Sequence, residues 1–549
     1  MIPAPENSAS ELDEPADAVL VEPAAPKQPR FVRSVCALSV LVTLLFPVFF
    51  GGKEPAVFRI VQILLIAAGL WGAARNLRAP LSKLERIVPL TVLIMGLASI
   101  QLVPLPLGLL QLLSAQTAEL YASAGRSTGT LTLDRFLTLE SLVWFSALAL
   151  YLFVLLGLPY ESLKQAIPSR LKSRRHGRHP LYERARETDR VVDLLERAII
   201  GSGFVCAIIA LGHLSTGTGY LFGLFAPNES AINLSRVHWP FVNPNHLCVL
   251  LEMSVILGLG RFFRLNYLKA MKDPSKEPVR LSVRLLRSPE RLGMELTHLF
   301  VALVMTICAI LTLSRTGIFL LVAGILWYWL YCDAMGARLR VRPYLASRPR
   351  RGVTVGRLIS AERWERWRRP FIVTTTAFLV LFLLSQGGRD LLAKRIEYGL
   401  TAEQSELRWK LNEATLKMLG DSPLFGVGLG NWRLGVARHV DRELAAFTLD
   451  YAHNDPLQFV AEMGLAGAAV LVLCCVWFAK TLRRGLNSVT LPTQRVHLVG
   501  LALALLLPIL HSLLDFPFHI PALAVIFAGL LAAYLRAVSF YTAESTVEE

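Results

Sequence analysis

A chain of 549 residues that is 54% hydrophobic and only 18% charged, with a mean hydropathy of +0.48, carries too much apolar surface for a soluble globule of its length. Its formal charge of +16 would suggest nucleic acid in a soluble protein, but aromatic interleaving is sparse and the basic residues fall in alternate segments, the pattern of a membrane protein facing anionic lipid. All seven cysteines (Cys36, Cys206, Cys248, Cys308, Cys332, Cys474 and Cys475) sit in or beside apolar runs, which argues against a disulfide framework or a thiolate metal site.

Residues 1–30, rich in Ala, Pro and Glu, have no apolar periodicity and read as a disordered tail. No small-residue cleavage site follows, so the first apolar run reads as a retained anchor. A hydrocarbon core of about 30 Å takes roughly 20 helical residues to cross. Twelve runs meet that length between charges, at 31–50, 57–74, 87–103, 138–158, 193–212, 242–260, 294–314, 316–332, 370–386, 456–478, 496–512 and 521–538.

Segments 75–86, 159–192, 261–293, 333–369 and 480–495 hold 4, 9, 9, 11 and 4 basic residues, whereas 51–56, 104–137 and 213–241 hold 1, 2 and 1. The positive-inside rule places the first set and both termini in the cytoplasm. In the long segment 387–455 the nine basic residues are offset by acids, and it reads as a folded extracytoplasmic element. The predicted fold is therefore an all-α polytopic membrane protein of about 12 transmembrane helices with a large extracytoplasmic helical loop. Its parts are a cytoplasmic tail (1–30), spans one to nine with basic cytoplasmic loops (31–386), the outward loop (387–455), spans ten to twelve (456–538) and a second cytoplasmic tail (539–549).

Polar motifs gather at the outward ends of four spans. The sixth begins at "FVNPNHLCVLLEM", with Asn243, Asn245, His246 and, about two turns in, Glu252. The seventh and eighth form a tight hairpin whose tip, "LTLSRTG", carries Arg315; such a charge calls for a partner, and Glu252 and Glu462 are the candidates, with snorkelling to lipid phosphate as the alternative. In the outward loop, Thr401 and Gln404 form a capping-box pattern ahead of Leu407, Leu411, Ala414 and Met418 at helical spacing. This predicts an amphipathic helix able to lie on the membrane surface, with Arg408 near the edge of its apolar face and Gly420 and Pro423 ending it. "PLFGVGLGNW" follows, where Gly426, Gly428 and Gly430 allow close backbone approach and an anion-binding nest.

The tenth span opens on "AHNDPLQF". Asp455 reads as its N-cap, Pro456 as the first helical residue and Gln458 as the capping-box partner. His453 then lies just before the helix, where the positive end of the dipole disfavours an imidazolium and leaves a ring able to accept a proton. The eleventh span ends at "HSLLDFPFHIP", with His511, Asp515 and His519. Arginine forks suited to phosphate, beside a histidine suited to general base work, fit the breaking of a sugar–diphosphate bond. The outward loop has no paired acidic motif for a metal clamp, so neither metal nor other cofactor is expected.

These motifs, above all "ELRWKLNEATLKMLGDSPLFGVGLGNW" followed by "HNDPLQFVAEMGLAG", resemble the bacterial O-antigen ligase and polymerase family over roughly residues 30–538. The resemblance implies a GT-C-type helical body in the bacterial inner membrane. It also implies a polyprenyl-diphosphate-linked glycan donor, inverting transfer, and essential roles for Arg315, Arg408 and His453. Substrate contacts are then expected around Asn245, His246, Gly426, Gly428, Gly430, Asn454, Glu462, His511 and Asp515. The acceptor stays open among core lipid, another glycan (a polymerase) and a protein hydroxyl (an oligosaccharyltransferase). The long basic loops depart from the compact family pattern. A proton-coupled transporter would also use Glu252 and Glu462, but no inverted repeat or pair of broken helices is evident.

Overall fold

The computed structural model describes residues 30–75, 87–164, 185–217, 221, 236–272, 289–346, 403–442, 444–446, 449–489 and 491–543. In hydrocarbon every backbone amide must be satisfied within its own segment, so the apolar runs become helices. In chain order the helices are α1 (Arg30–Leu45), α2 (Pro55–Ala74), α3 (Ile87–Ile100), α4 (Leu107–Leu113), α5 (Ala115–Ser123), α6 (Arg135–Gly157), α7 (Arg190–Thr216) and α8 (Pro244–Lys272). They continue with α9 (Pro289–Leu311), α10 (Arg315–Ala346), α11 (Glu403–Asp421), α12 (Trp432–Val436), α13 (Asp455–Ser488), α14 (Pro492–His511) and α15 (Pro521–Ala543). Only two short antiparallel pairs of strands accompany them among the described residues, β1 (Leu105–Pro106) with β2 (Thr128–Gly129) and β3 (Ser162–Lys164) with β4 (Glu187–Asp189).

This is an all-α polytopic membrane protein. Nine described helices (α1, α2, α6, α7, α8, α10, α13, α14 and α15) are long and apolar enough to cross a membrane, and α3 and Thr297–Leu311 of α9 are shorter apolar helices. These nine and two correspond to eleven of the twelve expected spans. The ninth expected span, 370–386, lies outside the described residues, as do the tail at 1–29, the Thr401 end of the expected capping box and most of the long basic segments. Several helices outrun their apolar windows, with α13 reaching 34 residues and α10 reaching 32. Hydropathy registers only the lipid-crossing part, whereas the helical ladder continues for as long as its amides find carbonyls.

α8 is the central post: its whole apolar window is buried, against α7, α9, α10 and α14. α2, α6, α3 and the outer half of α13 instead present Ile60, Ile63, Val92, Phe136 and Val472 outward, as expected of surfaces solvated by lipid. The two ends of the bundle differ in character. The starts of α8, α10, α13 and α15 share one end with the turn between α1 and α2; the opposite end holds a buried ionic lattice.

In that lattice, Arg536 near the end of α15 donates to Asp189 (2.5 Å) and to the carbonyls of Leu155 (2.8 Å), Leu158 (2.7 Å) and Pro159 (3.1 Å), and both charged side chains are fully buried. Arg261 of α8 pairs with Asp193 (2.8 Å) and Glu196 (3.0 Å) of α7, and Glu196 also meets His497 of α14. These contacts tie α6, α7, α8, α14 and α15 together. Removing one member of a buried ion pair usually costs about 3–5 kcal/mol because its partner is left charged and unpaired. Arg536→Met should therefore sharply lower the thermal unfolding temperature in detergent, and Arg536→Lys should recover only part of it; unaltered unfolding in both would show that Asp189 finds other partners.

Candidate active site

At the other end, α13 is a broken helix. Gly464 has φ +67° and ψ −164°, and a Cβ there would lie 2.4 Å from the backbone of Leu424, so neither the conformation nor the space admits a side chain. The amides released by the break are not left bare: Leu465 donates to Pro423 O (2.7 Å) and Ala466 to Leu424 O (3.2 Å). Non-helical backbone at membrane depth is tolerated only where protein covers it, and here segment 422–432 is the cover.

Buried polar side chains hold that segment in place. The Glu462 carboxylate, fully enclosed, accepts from Gly430 N (2.8 Å), Trp432 N (3.2 Å) and Gln458 Nε2 (3.2 Å). Gln101, at the end of α3, donates to the carbonyls of Phe425 (2.7 Å) and Glu462 (2.9 Å) and accepts from Leu429 N (3.0 Å). Asn431 bonds Thr132 (3.0 Å), Thr138 (2.9 Å) and Asp134 N (2.8 Å). Trp432 in turn donates to Thr415 (3.0 Å) and packs with Leu411, Ala414, Met418, Val427 and Ala461. The apolar face of α11 thus covers α12 and the start of α13 instead of lying on lipid, a correction to the sequence reading that follows from the buried Trp432.

The start of α13 also departs from expectation by one residue. Asn454 is the N-cap, accepting from Leu457 N (3.0 Å), while Asp455 is the first helical residue with Pro456 next. Asp455, freed from capping, turns to the neighbouring turn instead. Its carboxylate accepts from Phe518 N (2.9 Å) and pairs with His519 Nδ1 (2.5 Å), and its amide donates to Ser512 O (3.0 Å). Gln458 reaches back to Ala452 N (2.9 Å). The helix entrance is thereby bolted to the turn between α14 and α15. Burial disfavours the His519 imidazolium, but the Asp455 carboxylate outweighs it and holds this ring's pKa above the usual histidine value.

His453 precedes this cap with φ +55°, a left-handed conformation that a non-glycine residue adopts only when its surroundings impose it. The result is that its Nδ1 lies 3.3 Å from Asp515 Oδ1. Asp515, 1% exposed, is the hub of the site: it also accepts from Asn245 Nδ2 (2.5 Å) and Phe516 N (3.0 Å), with His246 Nε2 at 3.8 Å and Arg408 at 3.9 Å. Burial would raise this carboxyl, but the His246 and His453 rings outweigh burial and hold it well below the usual carboxylate range. Arg408 is half-exposed on α11 and donates to Leu514 O (2.8 Å). Around the hub, the Phe516 ring stacks on Tyr451 (4.3 Å) and takes His246 and His453 edge-on, each at 4.7 Å.

The structure therefore brings Asn245, His246, Arg408, His453 and Asp515 together, with Asn454 as the cap beneath them. Arg315 lies exposed at the first residue of α10, with neither Glu252 nor Glu462 as a partner. Glu252 instead pairs with His511 (2.8 Å), both wholly buried, which makes His511 a packing partner between α8 and α14 and not a group open to a ligand. Glu462 likewise faces the 430 segment and not solvent. The amides of Gly426, Gly428 and Gly430 are donated to Ser422 O, Glu462 O and the Glu462 carboxylate, so these glycines form a packing joint and leave no nest for an anion. Among the described residues, no group of three or more His, Cys, Asp and Glu is arranged to hold a metal ion.

Two participants escape a reading of the sequence. Arg236 donates to Thr312 O (2.9 Å), beside the hairpin tip that bears Arg315, and to Asn245 Oδ1 (3.2 Å), which links the tip to Asp515. Lys53 lies over the Tyr451 and Phe516 rings. Both are the single basic residue of their segments, 213–241 and 51–56, and that isolation is the available signal.

A multi-pass helical membrane protein with a histidine, its carboxylate and arginines gathered at one end has the equipment of a membrane-embedded group-transfer enzyme. Residues 300–472 match the family model described as O-antigen ligase, which supports a membrane enzyme of glycan transfer of the O-antigen ligase and polymerase kind. The matched stretch contains Arg315, Arg408 and His453 but stops short of Asp515. No curated protein matches the chain.

The His519–Asp455 pair has a definite pH signature. Because the folded pKa of His519 is raised, its contribution to stability is fully present below the unfolded value of about 6.5 and is lost as pH rises through the folded value. The unfolding temperature of His519→Gln should fall below that of the parent by the most at acidic pH, with the gap closing toward alkaline pH. A gap that widens with pH would assign the proton the other way.

Proposed function

We propose that this protein transfers a glycan from a polyprenyl-diphosphate carrier to an acceptor hydroxyl at the extracytoplasmic face of the bacterial inner membrane, in the manner of an O-antigen ligase. The observation that carries this reading is the His453–Asp515 contact with Arg408 on the same carboxylate, in a chain whose matched family domain includes the histidine and the arginine. The alternation of basic segments supports the face.

Asp515 selects the tautomer of His453 that donates from Nδ1, and this leaves the Nε2 lone pair as the proton acceptor. In a single displacement, the acceptor hydroxyl gives its proton to Nε2 while its oxygen bonds the anomeric carbon. The bond from that carbon to the diphosphate oxygen breaks, the diphosphate keeps the electron pair, and the anomeric configuration inverts. Charge gathers on the leaving diphosphate, where Arg408 supplies a planar fork and Arg315 a second cation. Asn245 and Arg236 hold Asp515 in position. Among the described residues no carboxylate pair faces the arginines, and the outward loop carries no paired acidic motif in its sequence, which supports transfer without a divalent metal.

A proton-coupled transporter is the weaker reading. Among the described residues α13 is a single broken helix with no symmetric counterpart, and the protein's own segment 422–432 fills the break. Glu252 and Glu462 are each engaged by fixed protein partners.

The test is single-turnover transfer by purified protein in nanodiscs. Losing one preorganised charge-stabilising donor commonly costs roughly 100- to 1000-fold in rate. Arg408→Lys should fall in that range, since lysine loses the fork, and His453→Ala should lose most turnover while still binding donor. Near-normal turnover in His453→Ala would remove the histidine from the mechanism. Excess chelator should leave the parent rate unchanged; loss restored by magnesium or manganese would overturn the metal-free mechanism. Deleting the gene and comparing lipopolysaccharide, secreted polysaccharide and glycoproteins identifies the acceptor.

A further inference from the structure

The turn between α1 and α2, "FFGGK", is built under constraint. Phe50, Gly51 and Gly52 have φ of +54°, +70° and +81°, three left-handed residues in succession, the first with a bulky side chain. There is no slack around them. A Cβ on Gly51 would come within 2.6 Å of the Phe241 ring, and one on Gly52 within 2.6 Å of Phe46 and 3.1 Å of Ala522 N. The turn is therefore wedged between the segment that leads into α8 and the first residues of α15, two of the elements that build the site.

What this turn projects is Lys53. Its Nζ stands 5.2 Å from the Tyr451 ring centroid and 5.7 Å from that of Phe516, the ring that also receives His246 and His453 edge-on. The side chain is exposed and no carboxylate oxygen lies within 4 Å of it among the described residues. The aromatic faces attract the ammonium without neutralising its charge or taking its donors. A backbone forced into three left-handed residues holds a cation with no contact ion pair among the described residues beside the His453–Asp515 pair, where the Asp450 and Asp515 charges act on it only from farther off, and this is the construction of a binding residue.

We infer that Lys53 is an anion-binding residue of the transfer site, donating to a phosphate oxygen of the polyprenyl-diphosphate donor and of the carrier released after transfer. This rests on the reading of the site given above. The division of labour follows from the groups themselves: a compact ammonium on a flexible stem follows a phosphate as it moves, whereas a guanidinium fork fixes one geometry.

Binding of unglycosylated polyprenyl diphosphate to the full chain in nanodiscs tests this without any acceptor. Lys53→Met keeps the stem against the two rings and removes the charge. A hydrogen bond to a charged group is worth enough that its binding of polyprenyl diphosphate should weaken about tenfold to a hundredfold. Binding of uncharged polyprenol and the unfolding temperature should stay at parent values, Lys53→Arg should regain most of the affinity, and donor KM should move more than kcat. The inference is overturned if Lys53→Met binds the diphosphate as tightly as the parent, if the parent does not bind it, or if polyprenol binding and unfolding temperature fall in step, which would make the lysine only a pin on the aromatic pair. A parent that binds the carrier in a Lys53-dependent way yet transfers no glycan would sink the transferase reading and leave this one standing.

Discussion

A buried carboxylate and a broken helix are each untenable alone at membrane depth, and in this protein each resolves the other. The break at Gly464 opens α13 to segment 422–432, and that segment presents the Gly430 and Trp432 amides to Glu462, two residues before the break. The rest of the site end hangs from this closure. Trp432 seats α11 through Thr415, α11 carries Arg408, and Arg408 reaches the Leu514–Asp515 turn from outside the bundle. The loop of a membrane protein is usually its least ordered part. Here it is an internal strut, because helix backbone inside the membrane needs it.

The second organising element is Asp515, which gathers groups from four separate segments: Asn245 and His246 at the start of α8, Arg408 on α11, His453 ahead of α13, and through Asn245 the Arg236 that touches the hairpin of α9 and α10. A group held by contacts from several independent helices moves only if they all move. That kind of preorganisation suits a site that stabilises charge as it develops, since the site need not rearrange during the reaction. The left-handed backbone of His453 belongs to the same logic, because its conformation is imposed by the cap at Asn454 on one side and by Asp515 on the other.

The helices are legible in the sequence because lipid imposes one simple rule on length and polarity, and all eleven expected spans within the described residues coincide with apolar helices. The convergence of His246, Arg408, His453 and Asp515 on one end is legible too, from the alternation of charge. Partner assignments are not. Sign alone matches Glu252 with Arg315, yet Glu252 pairs with His511, because contacts across a bundle depend on helix rotation, which hydropathy does not encode. The cap is displaced by one residue because Asn454 and Asp455 are equally good caps, and only the distant His519 and Phe518 claim the aspartate. The glycines of 426–430 suggest an open nest, since nothing in their sequence reveals that Glu462 and Ser422 take the amides. Lys53 and Arg236 enter the charge pattern only as scarcity, when a lone cation in an otherwise poorly charged segment is conspicuous for the same reason.

The ionic lattice at the far end bears on the order in which the chain is made. Arg536 closes around Asp189, which precedes it by 347 positions, and around carbonyls of residues 155–159. During synthesis the first half of the bundle therefore precedes the guanidinium that its aspartate and carbonyls receive in the finished fold, with Glu161 N (3.4 Å) as a partner of Asp189 from its own half. A ribosome that stops before α15 leaves a protein that contains His453 and Arg408 but whose opposite end is unsealed. The far end is thus closed by the arrival of one guanidinium, at the end of the bundle opposite the His453–Asp515 pair.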